Sequence, residues 1–292
     1  MTQHRELVVG FDGSPDARAA LAWAMAEAGT RHLAIRVVHV QPDLIGWGSA
    51  SAAMAGAPVL AAELPPPEDG PAAEAVELAT RAGVSARSVV VTGSPAAVLA
   101  DESRSADLVV IGSRGLGSVS SAVLGSTVAH VAAHAHSPVV VVRAEGPSTG
   151  PLVVGVDGSA DSEETIGWAF DHASRHGLPL EVLHAYTIPV YPGVVPYVPP
   201  VELTEATTQY ERRVTQEVLA GWQERYPDVA VTASVTHGRA APALIEATRR
   251  ATLTVVGSHG RGAFLGMLLG STSQSLLQHA HGSVAVLRHR RH

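Results

Sequence analysis

The chain repeats itself. Asp12-Gly13-Ser14 returns as Asp157-Gly158-Ser159, an offset of 145 residues. Gly10, Trp23, His39 and Gly93 return at the same offset as Gly155, Trp168, His184 and Gly238, and Gly112, Gly115 and Gly125 return as Gly257, Gly260 and Gly270. Landmarks held in register over such a distance mean two copies of one domain, and the period is far longer than the unit of a solenoid. The length of 292 residues also suits two domains at about 150 residues each. The copies are expected over 1–145 and 151–292. They are joined by the short segment Ala144-Glu145-Gly146-Pro147-Ser148-Thr149-Gly150-Pro151, whose Pro, Gly and Ser mark a linker.

Within the first copy, apolar runs alternate with helical patterns. Leu7 to Phe11 is a continuous apolar run, the mark of a strand buried on both faces. Ser14-Pro15 opens a helix, with Ser as N-cap and Pro in the first turn, and Gly29 is expected to stop it. Further strands are predicted at Ile35 to Val40, Ser88 to Val91, Leu108 to Ile111 and Val139 to Val142, with helices over 71–82, from Pro95 and from Ser126. Residues 41–70 read as a long Pro- and Gly-rich loop. The second copy repeats the order, with strands at 152–156, 180–184, 229–235, 253–256 and 284–287. Its middle loop, 187–200, is shorter and contains five prolines, and the helix after it, 202–223, is longer. Strands alternating with helices imply parallel strands joined by right-handed crossovers. The fold class is therefore α/β, two tandem doubly wound five-stranded parallel sheets with helices on both faces. Such sheets bind ligands beyond the carboxyl ends of their strands, where the winding reverses. Asp12 and Gly112 follow the first and fourth strands and would meet there.

Composition narrows the functions available. The net charge is −7 and all 20 basic residues are Arg. An acidic chain lacks the basic face that nucleic-acid binding needs, and the short run Arg288 to His292 reads as a solvated tail. With no Cys there are neither disulfides nor thiolate chemistry. No signal peptide or membrane-spanning run is legible, so a cytoplasmic location is expected. Aromatics make up only 4%, so the cores must be built from Val, Leu, Ile and Ala.

The segment richest in chemistry is Gly112-Ser113-Arg114-Gly115, then nine residues, then Gly125-Ser126-Thr127. Its second copy is Gly257-Ser258-His259-Gly260, nine residues, then Gly270-Ser271-Thr272. A phosphate requires several inward-pointing backbone N–H groups, and glycine lets the chain curl tightly enough to supply them. A helix starting at Ser-Thr adds free amides, a favourable dipole and hydroxyl donors. Each hydrogen bond to a charged oxygen contributes about 1.5–3 kcal/mol, so a few of them reach the roughly 8 kcal/mol of a micromolar site. The loop is not of the Walker type, which requires Gly-Lys-Ser/Thr.

Asp12 and Asp157 have two readings: a carboxylate facing a ribose or a phosphate-bound metal, or an Asx turn leading into the next helix. Gly10 and Gly155 lie inside strands, where glycine points to close approach, here by a ring or ribose. Val9-Gly10-Phe11-Asp12-Gly13-Ser14, Val37-Val38-His39-Val40 and the spaced glycine motif, taken together, resemble the universal stress protein family over essentially the whole chain, twice. The resemblance implies a strand order of 3-2-1-4-5 and adenine near the ends of the first two strands. It implies that Asp12 meets ribose or adenine, that the backbone near Val40 meets adenine, and that Gly112, Ser113, Arg114, Gly115, Leu116, Gly117 and Ser118 wrap the phosphates. Gly10, Ser14, Gly125, Ser126 and Thr127 complete the expected site. In the second copy the positions are Gly155, Asp157, Ser159, Ala185, Gly257, Ser258, His259, Gly260, Arg261, Gly262, Gly270, Ser271 and Thr272. His259 in place of Arg114, and Ala185 in place of Val40, point to two unequal sites.

ATP is the expected ligand, with Mg2+ on its phosphates and no metal site built from protein side chains. His39 and His184 read as structural, Ser14 and Ser159 as helix caps rather than nucleophiles, and Trp23 and Trp168 as core anchors. Tyr186, Tyr191 and Tyr197 read either as part of a lid or as packing for the Pro-rich loop. The fifth strand of each copy is a bare apolar edge. The resemblance implies that the copies pair through it, with a homodimer of chains as a further option. The function expected is an ATP-binding stress regulator or sensor acting on a protein partner that the sequence does not name. Weak ATP hydrolysis or nucleotidyl transfer is the alternative, and an interaction module without nucleotide is the third reading.

Overall fold

Val- and Leu-rich segments pair into parallel sheet because each can be buried on both faces. In the computed structural model β1 is Glu6–Gly10, and its residues Leu7, Val8 and Val9 are fully buried. The structure describes residues 6–41, 70–115, 124–159, 161–188, 201–260 and 268–288. Two compact units emerge, Met1–Ala144 and Glu145–His292. In the first, the remaining strands are β2 (Ala34–Gln41), β3 (Ala86–Thr92), β4 (Leu108–Gly112) and β5 (Val139–Val142). All neighbours are parallel, in the order β3-β2-β1-β4-β5. Leu7 is in register with Leu108, and Val9 with Val110. The second unit repeats this order as β8-β7-β6-β9-β10, from β6 (Leu152–Val156), β7 (Leu180–Tyr186), β8 (Val231–His237), β9 (Leu253–Gly257) and β10 (Val284–Leu287). The 3-2-1-4-5 order implied by the resemblance is thus present in both halves.

Helix α1 (Pro15–Arg31) starts as its sequence dictates. Ser14 is extended and its hydroxyl accepts from the Ala17 N–H, with Pro15 in the first turn. The helix does not stop at Gly29. It runs one more half-turn and ends where His32 takes a left-handed conformation, φ 55°, its N–H bonding Ala28 O. A lone glycine costs a helix interior only about 1 kcal/mol, and here the packed stripe Ala17, Ala20, Leu21, Ala24, Ala28 outweighs it. Trp23 lies beside that stripe and is half-buried, so it is not the expected core anchor; Trp168 is half-buried likewise.

The other helices of the first unit are α2 (Pro71–Arg81), α3 (Pro95–Glu102) and α4 (Ser126–His134). The second unit has α5 (Asp161–His176), α6 (Val201–Arg225), α7 (Ala240–Ala247) and α8 (Ser271–His279). Its aromatic anchor is Phe170 of α5, fully buried, with its ring 5.9 Å from Trp222 and 5.7 Å from Tyr226 of the α6 end. Of the long loop expected at 41–70, residues 42–69 lie outside the described residues, as do Tyr191, Tyr197 and the end of the basic tail.

One contact in this core carries a prediction. A Cβ added to Gly167 of α5 would lie 2.6 Å from Cη2 of Trp222. Alanine is the better helix former by about 1 kcal/mol, but overpacking a core costs about 1–3 kcal/mol. Gly167→Ala is therefore expected to destabilise the protein, read as a lower urea midpoint with an unchanged slope. A higher midpoint would show that Trp222 has room to retreat.

Candidate functional site: a crevice at the switch point of each sheet

β1 leads to β2 on one side and pairs with β4 on the other, so the chain winds in opposite directions on leaving these two strands. A crevice opens beyond their carboxyl ends. In the first unit it is a cavity of about 640 Å3, and in the second, about 520 Å3, both within the roughly 300–1,000 Å3 of small-molecule sites.

Asp12 stands at its floor. The Ser14 N–H donates to Asp12 Oδ1 at 3.0 Å, the Asx turn foreseen, while the other oxygen, Oδ2, faces the glycine loop. A Cβ on Gly115 would lie 2.7 Å from that oxygen. The second unit repeats the arrangement: the Ser159 N–H donates to Asp157 Oδ1 at 3.0 Å, and a Cβ on Gly260 would lie 2.6 Å from Asp157 Oδ2. The Asx-turn reading of the aspartate holds in both units, and its second oxygen is held against the loop. Gly112 is needed for a different reason. A Cβ there would lie 2.6 Å from the carbonyl carbon of Asp16, so β4 ends in direct contact with the first turn of α1.

Across the cavity, α4 begins at Ser126 with Gly125 as an N-cap that offers no side-chain hydrogen bond, and α8 begins at Ser271 behind Gly270 in the same way. Their first-turn amides therefore have no capping side chain, and they present the positive end of the helix dipole to whatever fills the crevice.

The crevice of the first unit is lined by Gly10, Asp12, Val40, Gly112, Arg114, Gly115, Gly125, Ser126 and Thr127 among the positions singled out in the sequence. In the second it is lined by Gly155, Asp157, Ala185, Gly257, His259, Gly260, Gly270, Ser271 and Thr272. Ser14, Ser113, Ser159 and Ser258 do not line these cavities. Leu116, Gly117, Ser118, Arg261 and Gly262 lie outside the described residues.

Two expectations need correction. Gly10 does not make room for a ligand ring: a Cβ there would lie 2.9 Å from Leu99 Cδ1 and 3.0 Å from Ile111 Cγ2, so the leucine of α3 takes the space. Leu244 of α7 does the same at Gly155, at 2.8 Å. The side chains of Ser113 and Arg114, expected at the phosphates, instead face Asp16. The Ser113 hydroxyl donates to Asp16 Oδ2 at 2.6 Å, and the Arg114 guanidinium meets the two oxygens at 3.0 and 3.3 Å. Asp16 is buried. The Arg143 guanidinium belongs to the same cluster: burial and the charge of Arg114 lower its pKa, and Asp16 opposes them. The second unit differs, since His259 Nδ1 pairs with the Ser258 hydroxyl at 3.1 Å.

The histidines of β2 and β7 each bond the backbone at the end of the first strand of their unit. His39 Nδ1 lies 2.8 Å from Phe11 O, and a carbonyl only accepts, so this nitrogen carries the proton. His184 makes the same bond to Val156 O at 3.0 Å, and its Nε2 lies 3.2 Å from Glu211 of α6. Glu211, Leu99 and Leu244 are lining residues that the sequence did not single out. Tyr186 also lines the second crevice. It packs rather than covers: its hydroxyl donates to Thr204 O at 3.1 Å and its ring lies 5.4 Å from His237.

The fold and the crevice define a tandem α/β protein with a glycine-lined crevice at the switch point of each unit. Residues 4–143 and 149–288 both match the universal stress protein family, and the chain belongs to that family. It is 38% identical over 298 residues to a universal stress protein of Mycolicibacterium smegmatis, covering 97% of each chain. It is 38% identical over 301 residues to the universal stress protein Rv1996 of Mycobacterium tuberculosis, covering 97% of this chain and 94% of that one. In fold it is similar to a universal stress protein of Archaeoglobus fulgidus, with a TM-score of 0.65 at 18% identity, covering 98% and 99% of the two chains. Among the described residues no helix is long and apolar enough to cross a membrane.

Proposed function

We propose that the chain is an ATP-binding regulator or sensor of the stress response with two adenine-nucleotide sites, and that it binds the nucleotide without turning it over. One observation carries this reading: in both units a strand-end carboxylate, a glycine loop and an uncapped helix start converge on a single crevice. The aspartate suits a ribose hydroxyl, which donates to it. The loop and helix amides suit the phosphates, with Mg2+ carried on the phosphate oxygens. Val40 and Ala185 line the crevices where the resemblance puts adenine. The chain has no Lys to hold terminal phosphates, which favours binding over hydrolysis. The nucleotide acts by altering the surface offered to a protein partner in the cytoplasm.

The purified protein is denatured, its supernatant is separated on an anion-exchange column, and the refolded chain is titrated with ATP. Released ATP with up to two sites per chain is the expected result. ADP with turnover above background would make the protein a slow ATPase, and no nucleotide in either measurement would make it an interaction module alone.

A further inference from the structure

The second unit has another cavity, of about 390 Å3, which the nucleotide reading does not use. It lies between α5 and α6. The two helices are pinned where Trp222 packs onto Gly167, and beyond that contact a space opens. Its wall is aliphatic, from Ile166 and Val182 to Val214, Val218 and Leu219. Val214 and Val218 stand one helical turn apart on α6 and are 37% and 48% exposed, large values for valines that border a cavity.

The charged side chains lining this cavity are, among the described residues, two carboxylates and one histidine. The hydroxyls at the start of α5 are already used, because Ser159 and Ser162 both donate to Asp157 Oδ1 at 2.6 Å. The carboxylates of Glu163 and Glu211 are acceptors, Glu211 with its Oε2 already 3.2 Å from His184 Nε2 and its other oxygen left for a ligand. Among the described residues no Arg lines the cavity, and its one basic group, His184, is turned to Val156 O and Glu211. We propose that this cavity is a second small-molecule site that takes an apolar ammonium compound, its alkyl or aryl body between α5 and α6 and its cationic head at Glu163 and Glu211. An apolar anion meets two like charges there, and a neutral apolar molecule gains the burial but not the ion pair. Val156, Ser162, His184 and Glu211 line both this cavity and the nucleotide crevice, so the two sites share a wall.

The test uses the full chain without nucleotide, so that its outcome is independent of ATP binding. Octylammonium, octanol and octanoate are titrated by calorimetry below their aggregation concentrations. Octylammonium is expected to bind saturably at one site per chain, at least ten-fold tighter than octanol, with octanoate weaker than either. The Glu163→Gln/Glu211→Gln variant should lose that ten-fold preference and keep its octanol affinity, while Val218→Phe should weaken both ligands. Circular dichroism checks that each variant is folded, and Val214→Phe replaces Val218→Phe if the latter is not. Octanoate binding as tightly as octylammonium, an unchanged preference in the double variant, or no saturable binding at all would overturn the proposal.

Discussion

Gly115→Ala combined with Gly260→Ala is expected to abolish ATP binding in both units while the protein stays folded. The new methyl groups would come within 2.7 and 2.6 Å of Asp12 Oδ2 and Asp157 Oδ2. Each aspartate is tethered through its other oxygen by the N–H two residues on, at 3.0 Å, so the loop must give way instead. Losing two amide contacts to charged oxygens removes about 3 kcal/mol or more from each site, which corresponds to at least a hundred-fold in affinity. The affected loops lie outside the strand pairs that form the core, so the thermal transition should move little. Isothermal titration with Mg-ATP alongside circular dichroism separates the two effects. Wild-type affinity in a folded double variant would remove the glycine loops from the site.

Asp16→Ala should have the larger effect on stability. The carboxylate is buried, holds the Ser113 hydroxyl and the Arg114 guanidinium, and offsets the burial of Arg143. A cation whose pKa is lowered on folding opposes folding at neutral pH. Removing Asp16 lowers the Arg143 pKa further and leaves a buried hydroxyl without its acceptor. Breaking one side of a buried ion pair costs about 3–5 kcal/mol; the partial exposure of Arg114, 26%, puts the expected loss near the low end, about 3 kcal/mol. Asp16→Asn, which keeps an acceptor for Ser113, should fall between. Asp101→Ala serves as the control, since its pair with Arg104 is 63–78% exposed and its loss should cost under about 1 kcal/mol. Urea denaturation of the three variants gives the ranking, and an Asp16→Ala midpoint equal to that of Asp101→Ala would show that Arg114 and Arg143 find other partners.

The repeat and the apolar runs made the sheet legible, because a strand buried on both faces has to be apolar at every position. The glycine loop was legible because its spacing occurs twice. Asp16 was not, since an acidic residue in a first helical turn usually caps or faces water, and only the close approach of Gly112 buries it. The neighbours of Gly10 and Gly155 are hidden from the sequence for a related reason. A glycine in a strand signals close approach, but local sequence does not say by what, and the answer is a leucine on a helix that begins some 85 residues further on. Glu211 carried no signal of its own, because it reaches His184 from the far side of a Pro-rich segment.

The placement of β1 bears on how the chain is made. β1 is made before the other strands of its unit yet ends in the middle of the sheet, and Leu7 waits for Leu108, about a hundred residues later, before its second edge is covered. Throughout that interval an unsatisfied ladder of Val and Leu stays open to whatever strand emerges next. Because the second half carries near-copies of the same runs, synthesis past residue 145 before the first half has closed would offer β1 a competing partner in β9. Closure of the first half before β9 is made would spare β1 that competition.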